Sequence, residues 1–157
     1  MNFDELKALF DEFVLGDFLP EVDTVLGWVE TLLRFAVMAG PIVLLGFGLM
    51  YLFAPPKEAN HSLGYRFWWG MSSLDAWKFT QLLAGKVFTV MGGALTLIAI
   101  VVSIIIGGLE LEDMANWAAI CVLIELVLIG LGCLAINILV MLKFDKDGYR
   151  RDEEYEE

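Results

Sequence analysis

Residues 87–109 read VFTVMGGALTLIAIVVSIIIGGL, without one charged side chain. About 20 apolar residues in a helix cross about 30 Å of hydrocarbon, so this stretch is long enough to span a membrane. Working outward, two more such runs appear. Phe35–Ala54 is equally free of charge, and Trp117–Leu142 is interrupted only by Glu125 and Asn137. In lipid no water satisfies the backbone, so each run must be helical. The fold class read from the sequence is therefore all-α: an integral membrane protein with three transmembrane helices and an N-terminal amphipathic helix. Composition agrees. Of the 157 residues 59% are hydrophobic and 20% charged, against about 45–50% and about 25% in a soluble domain.

Three segments follow. Residues 1–30 are acidic, and Phe3, Leu6, Phe10, Phe13 and Val14 recur at helical spacing among Asp4, Glu5, Asp11 and Glu12. Gly16 and Pro20 are expected to end that helix, and Val22, Val25, Leu26 and Val29 begin a second pattern leading toward the first span. Residues 31–142 hold the membrane domain. Residues 143–157 form a charged tail, of which Arg150–Glu157 is expected to be solvated and disordered.

Lysine and arginine set the expected orientation. Lys57, Arg66, Lys78 and Lys86 lie between spans one and two, and Lys143, Lys146, Arg150 and Arg151 follow span three. Only Lys7 and Arg34 lie on the other side. This predicts a multi-pass protein of the cell membrane with a cytoplasmic first loop and C-terminus and an external N-terminus.

Several function classes are disfavoured. With a net charge of −11 and basic residues that track the membrane, no nucleic-acid surface is expected. One histidine, His61, and two cysteines about 18 Å apart on one helix, Cys121 and Cys133, give neither a metal site nor a disulfide. Ser72 and Ser73 have no histidine base at a recognisable spacing, and no glycine loop could cradle phosphate, so neither an enzyme nor a cofactor is expected.

The loop from Pro55 to Lys86 is the least generic part of the chain. Tyr65, Arg66, Phe67, Trp68 and Trp69 suit a headgroup layer, where ring bodies stay apolar and polar edges stay wet. Ser72, three residues before Asp75, predicts a capping box and a helix starting near Ser73. On that helix Trp77, Gln81 and Gly85 fall on one face, and the helix should continue into span two. Gly64 suits a turn with positive φ. Arg66, a planar cation with five donors, could hold a lipid phosphate or a peptide carboxylate in a site with Tyr65 and Asn60, or could tie the loop to itself.

The order Asn60, Gly64-Tyr65-Arg66, Ser72-Ser73, Trp77, Gln81, Gly85 ahead of an apolar span resembles the signature of the SdpI family. These are small multi-pass proteins of the bacterial membrane, named for an immunity protein against a secreted killing peptide. The resemblance takes in the three spans. Phe67 and Gln81 depart from the family pattern, which usually has threonine and asparagine there. It implies a non-enzymatic membrane protein that protects against or senses a membrane-active peptide through loop 60–85. The alternatives are a small oligomeric transporter or lipid-handling component, or an accessory subunit of a membrane complex. The partners so expected are the lipid bilayer, a membrane-active peptide or another membrane protein, and a second copy of the chain.

Within the membrane, a carboxylate costs about 2.5–3.5 kcal/mol at a helix centre, so Glu125 should face the bundle. Its depth matches that of Ser103, and a hydrogen bond from Glu125 to Ser103 or Thr96 is expected. Asn137, turned about 120° away at about 100° per residue, should not share its face. Gly92, Thr96, Ala99, Ser103 and Gly107 form a small-residue ridge suited to close helix packing.

Overall fold

The computed structural model describes residues 3–58 and 63–151, with side chains from Thr24 onward. Three helices make up its framework: α1 (Phe3–Phe53), α2 (Leu74–Ile106) and α3 (Leu111–Lys143), with one 3-10 turn at Trp69–Met71. Each is long and apolar enough to cross a membrane, α1 from Thr24 onward. The helices begin earlier than the spans read from the sequence, because the preceding polar turns are helical too, whereas α1 and α2 end one and three residues sooner, at Phe53 and Ile106.

One expectation fails at the N-terminus. Helix α1 runs without interruption through Gly16 and Pro20. Proline removes one backbone hydrogen bond and crowds the carbonyl four residues earlier, which here belongs to glycine, the freest backbone in the chain. The rest of the ladder carries the helix across. The side chains of the amphipathic segment before Thr24 lie outside the described residues.

Between lipid-embedded helices there is little hydrophobic drive to associate, because lipid tails are as apolar as leucine; close van der Waals packing supplies the attraction instead. The ridge on α2 provides it. A Cβ on Gly92 would stand 2.5 Å from the Leu45 backbone nitrogen, and one on Gly48 would stand 2.4 Å from that of Thr89. Any larger residue at either position would push the α1 and α2 backbones apart. Ala99 and Ser103 continue the buried stripe.

Buried side chains gather in two clusters at opposite ends. One unites Leu44, Tyr51, Ala84 and Phe88 with Ile136, Val140 and Phe144, at the end that carries the loop. The other unites Val37, Ala99 and Ile106 with Met114 and Ala118, beside the short α2–α3 connection. There Arg34 Nη2 donates to the Gly107 carbonyl at 3.3 Å, placing a cation at the carbonyl end of α2 where the helix dipole favours one. Its 3.6 Å ion pair with Glu30 is half exposed and adds little.

Candidate functional site

Pro55-Pro56 stops α1, whose last backbone bond is Ala54 N–H to Met50 O at 2.8 Å. The chain then folds over the start of α2 and is fastened to it by the residues that share one face. Trp77, fully buried, donates its indole N–H to the Pro56 carbonyl at 2.8 Å. Gln81, also fully buried, grips Tyr65 by the main chain: its Oε1 accepts from Tyr65 N–H and its Nε2 donates to Tyr65 O, both at 2.8 Å. One side-chain amide thereby does for the loop what a neighbouring strand would do, and no buried main-chain group is left open at that residue.

Gly64 is required twice over. Its φ is +115°, and a Cβ there would stand 2.6 Å from the Trp77 ring. From this turn the Tyr65 side chain descends into the bundle. It meets Phe88 edge-on at 5.7 Å, donates to Asn137 Oδ1 at 2.8 Å, and its hydroxyl lies 3.1 Å from the Cys133 carbonyl. Burial, with Cys133 adding to it, pushes the phenol well above its ordinary range, so the hydroxyl keeps its proton and stays a donor.

The helix start differs by one residue from the sequence reading. Ser73, not Ser72, is the N-cap: its hydroxyl accepts from Ala76 N–H at 3.1 Å and donates to Gly148 O at 2.8 Å. Ser72 instead donates to Trp69 O at 2.6 Å and closes the 3-10 turn. A Ser-Ser pair lets either residue cap; the bond to Gly148 decides for the second. Asp75 sits in the first turn, where the dipole favours an acid.

That bond belongs to an element missed in the sequence. After α3, Phe144 is fully buried, Asp145 Oδ1 accepts from Asp147 N–H (3.0 Å) and Tyr149 N–H (2.8 Å), and Gly148 takes φ +87°. Phe144 and Arg150 pair as an isolated antiparallel bridge. Arg151 Nε donates to Phe144 O at 3.2 Å, so Arg150 and Arg151 are part of an ordered turn and not of a disordered tail. Asp-Lys-Asp-Gly at 145–148 is the turn signal that could have revealed it. Residues 152–157 lie outside the described residues.

The loop and this turn thus occupy one end of the bundle, as three alternating crossings require. Gly64, Tyr65, Trp77 and Gln81 are brought together, Ser73 caps the same helix and bonds Gly148, and Gly85 packs on Leu52 of α1, whereas Asn60 and His61 lie outside the described residues. Arg66 is exposed. Trp68 is 79% exposed.

The intramembrane polar residues do not form one group. Glu125 is only 8% exposed and does face the bundle, but it turns to α1, where its Oε2 stands 3.2 Å from the position a Gly40 Cβ would take. The expected bonds to Ser103 and Thr96 are not among the hydrogen bonds of the described residues. Thr96 Oγ1 donates to Gly92 O at 2.7 Å instead. Missing side-chain bulk at Gly40 gives the carboxyl its space, a feature that helix periodicity alone does not reveal. Asn137 points to Tyr65, away from Glu125. Among the described residues no three His, Cys, Asp or Glu side chains converge as metal ligands would.

The sequence profile of the SdpI/YfhL protein family matches residues 57–141, which takes in the loop, α2 and most of α3. No curated protein and no solved structure matches the chain.

Proposed function

Because the chain belongs to the SdpI/YfhL protein family, we propose that it is a non-enzymatic protein of the bacterial cell membrane that protects against, or senses, a membrane-active peptide at the loop end of its bundle. The observation that carries this reading is the Gln81 grip on Tyr65. By holding that one residue at both main-chain groups it fixes the loop, and it leaves the neighbouring Arg66 and Trp68 exposed on a rigid frame. A cation beside an indole suits an amphipathic peptide at the headgroup layer. Placing this end in the cytoplasm rests on the distribution of lysine and arginine. The acidic residues at the other end, among them Glu30, Glu110, Glu112 and Asp113, would draw a cationic peptide toward the membrane, less so in added salt.

Killing assays test the reading. Bacteria lacking the protein receive wild type or Arg66→Ala, each checked for expression, and are challenged with a panel of membrane-active peptides. Protection by wild type that is lost with Arg66→Ala supports it; no protection by wild type against any peptide overturns it. A small oligomeric transporter or lipid-handling component is the second reading. It draws on Glu125, a buried acid midway along α3, and predicts that Glu125→Gln abolishes activity while Arg66→Ala does not.

A further inference from the structure

Between the end of α1 and the first turns of α2 runs a trough of about 560 Å³. Tyr51, 7% exposed, forms part of its floor. Leu74, Lys78 and Leu82 line its α2 side; at four-residue spacing they make one stripe along the helix. Leu74 and Leu82 are 51% and 46% exposed, so that stripe is open. Facing it, the chain leaving α1 brings Lys57 and Glu58 to the rim.

The trough has a direction. Tyr51 and Leu82 lie toward the apolar parts of their helices, whereas Lys57, Glu58 and Lys78 lie toward the loop. Two cations, Lys57 and Lys78, and one acid, Glu58, are among the residues that line it. In a chain of net charge −11 this is a local cationic excess. It is placed where a phosphate would sit above an acyl chain.

We infer that the trough is a docking site for an anionic glycerophospholipid. The phosphate lies between Lys57 and Lys78, and the first part of an acyl chain follows Leu82 and Tyr51 toward the hydrocarbon. Apolar contact along the wall and two ammonium groups at the rim together select a lipid over a soluble anion. The inference does not rest on the peptide reading, and its test contains no peptide.

The full chain in neutral detergent is titrated with phosphatidylglycerol and, separately, phosphatidylcholine, and bound lipid is counted by native mass spectrometry. Phosphatidylglycerol is expected to bind in preference, and its affinity to fall roughly thirtyfold in the Lys57→Gln, Lys78→Gln double variant. A Lys86→Gln, Lys146→Gln double variant removes equal charge from exposed positions off the trough and should change affinity by no more than about twofold. All four lysines are exposed, so both variants should fold, and equal thermal midpoints without lipid verify it. Equal losses in the two double variants would mean diffuse attraction and overturn the site. So would equal affinity of wild type for the two lipids. Displacement of phosphatidylglycerol by millimolar inorganic phosphate would make this a site for the free anion and sink the lipid assignment.

Discussion

Along the α1–α2 seam the backbones nearly touch, with Gly48 against Thr89 and Gly92 against Leu45, whereas α3 meets its neighbours chiefly near its ends. Between Ala118 and Ile136 the only buried residue of α3 is Glu125. The seam is made chiefly by the absence of side chains, and the α3 attachment, apart from Glu125 against Gly40 and Gly132 against Met91, by particular ones: Met114 and Ala118 at one end, Ile136, Val140 and Phe144 at the other, and the Tyr65 hydroxyl reaching from the loop to Asn137. The two contacts should therefore fail in different ways. A seam of glycines fails when anything is added; an attachment of side chains fails when something is taken away.

The largest expected effect is at the seam. Gly48→Leu forces a side chain into the Thr89 backbone and should cost at least about 3 kcal/mol, read as loss of a thermal unfolding transition in detergent. Gly46→Ala and Gly93→Ala are the controls that sharpen it, since a Cβ at either meets nothing within 4 Å; they should be neutral or stabilising by up to about 1 kcal/mol. Should Gly48→Leu and Gly93→Ala behave alike, the close seam is wrong.

Next comes Gln81→Leu, which strips both main-chain partners from Tyr65 and should cost about 2 kcal/mol. Limited proteolysis should then cut the loop near Tyr65 while α1 and α2 stay whole. Unchanged resistance would break the assignment of Gln81 as the residue that fixes the loop. Tyr65→Phe removes only the hydroxyl and should cost about 1 kcal/mol, loosening α3 alone. Maleimide labelling reads this out, because both cysteines are free and half-buried: the rate at Cys133 should rise, and that at Cys121, far from Tyr65, should not. Smallest is Arg34→Ala, about 0.5 kcal/mol for one cation at the carbonyl end of α2, seen as a shift in thermal midpoint that shrinks in high salt.

What the sequence disclosed follows the same division. Long apolar runs mark the three spans, and four-residue spacing puts Trp77, Gln81 and Gly85 on one buried face of a helix that continues into span two. Those are local signals, read within a single element. The small-residue ridge on α2 announces close packing, but its partner glycine on α1, Gly48, is indistinguishable from Gly46 two residues away until the helices are set against each other. For the same reason the sequence assigns Tyr65 to the loop and Asn137 to a span without joining them. The choice of Ser73 over Ser72 as cap depends on Gly148, 75 positions along. Glu125 was legible as facing inward, and its neighbour was not, since the matching depth of Ser103 says nothing about the room left at Gly40.

The long reach of the loop bonds also sets an order of events in time. Tyr65 leaves the ribosome 72 residues before Asn137, and Ser73 leaves 75 before Gly148. At about 5–20 residues per second, about 4–15 s pass between them. During that interval α1 and α2 can already close on their glycines, while the loop has Gln81 and Trp77 to hold it but neither of its anchors on the last helix and turn. The part of the chain that defines its surface at this end is therefore completed only when the last span and its turn arrive, and a nascent chain stalled before Asn137 should carry a finished seam and an unfinished loop.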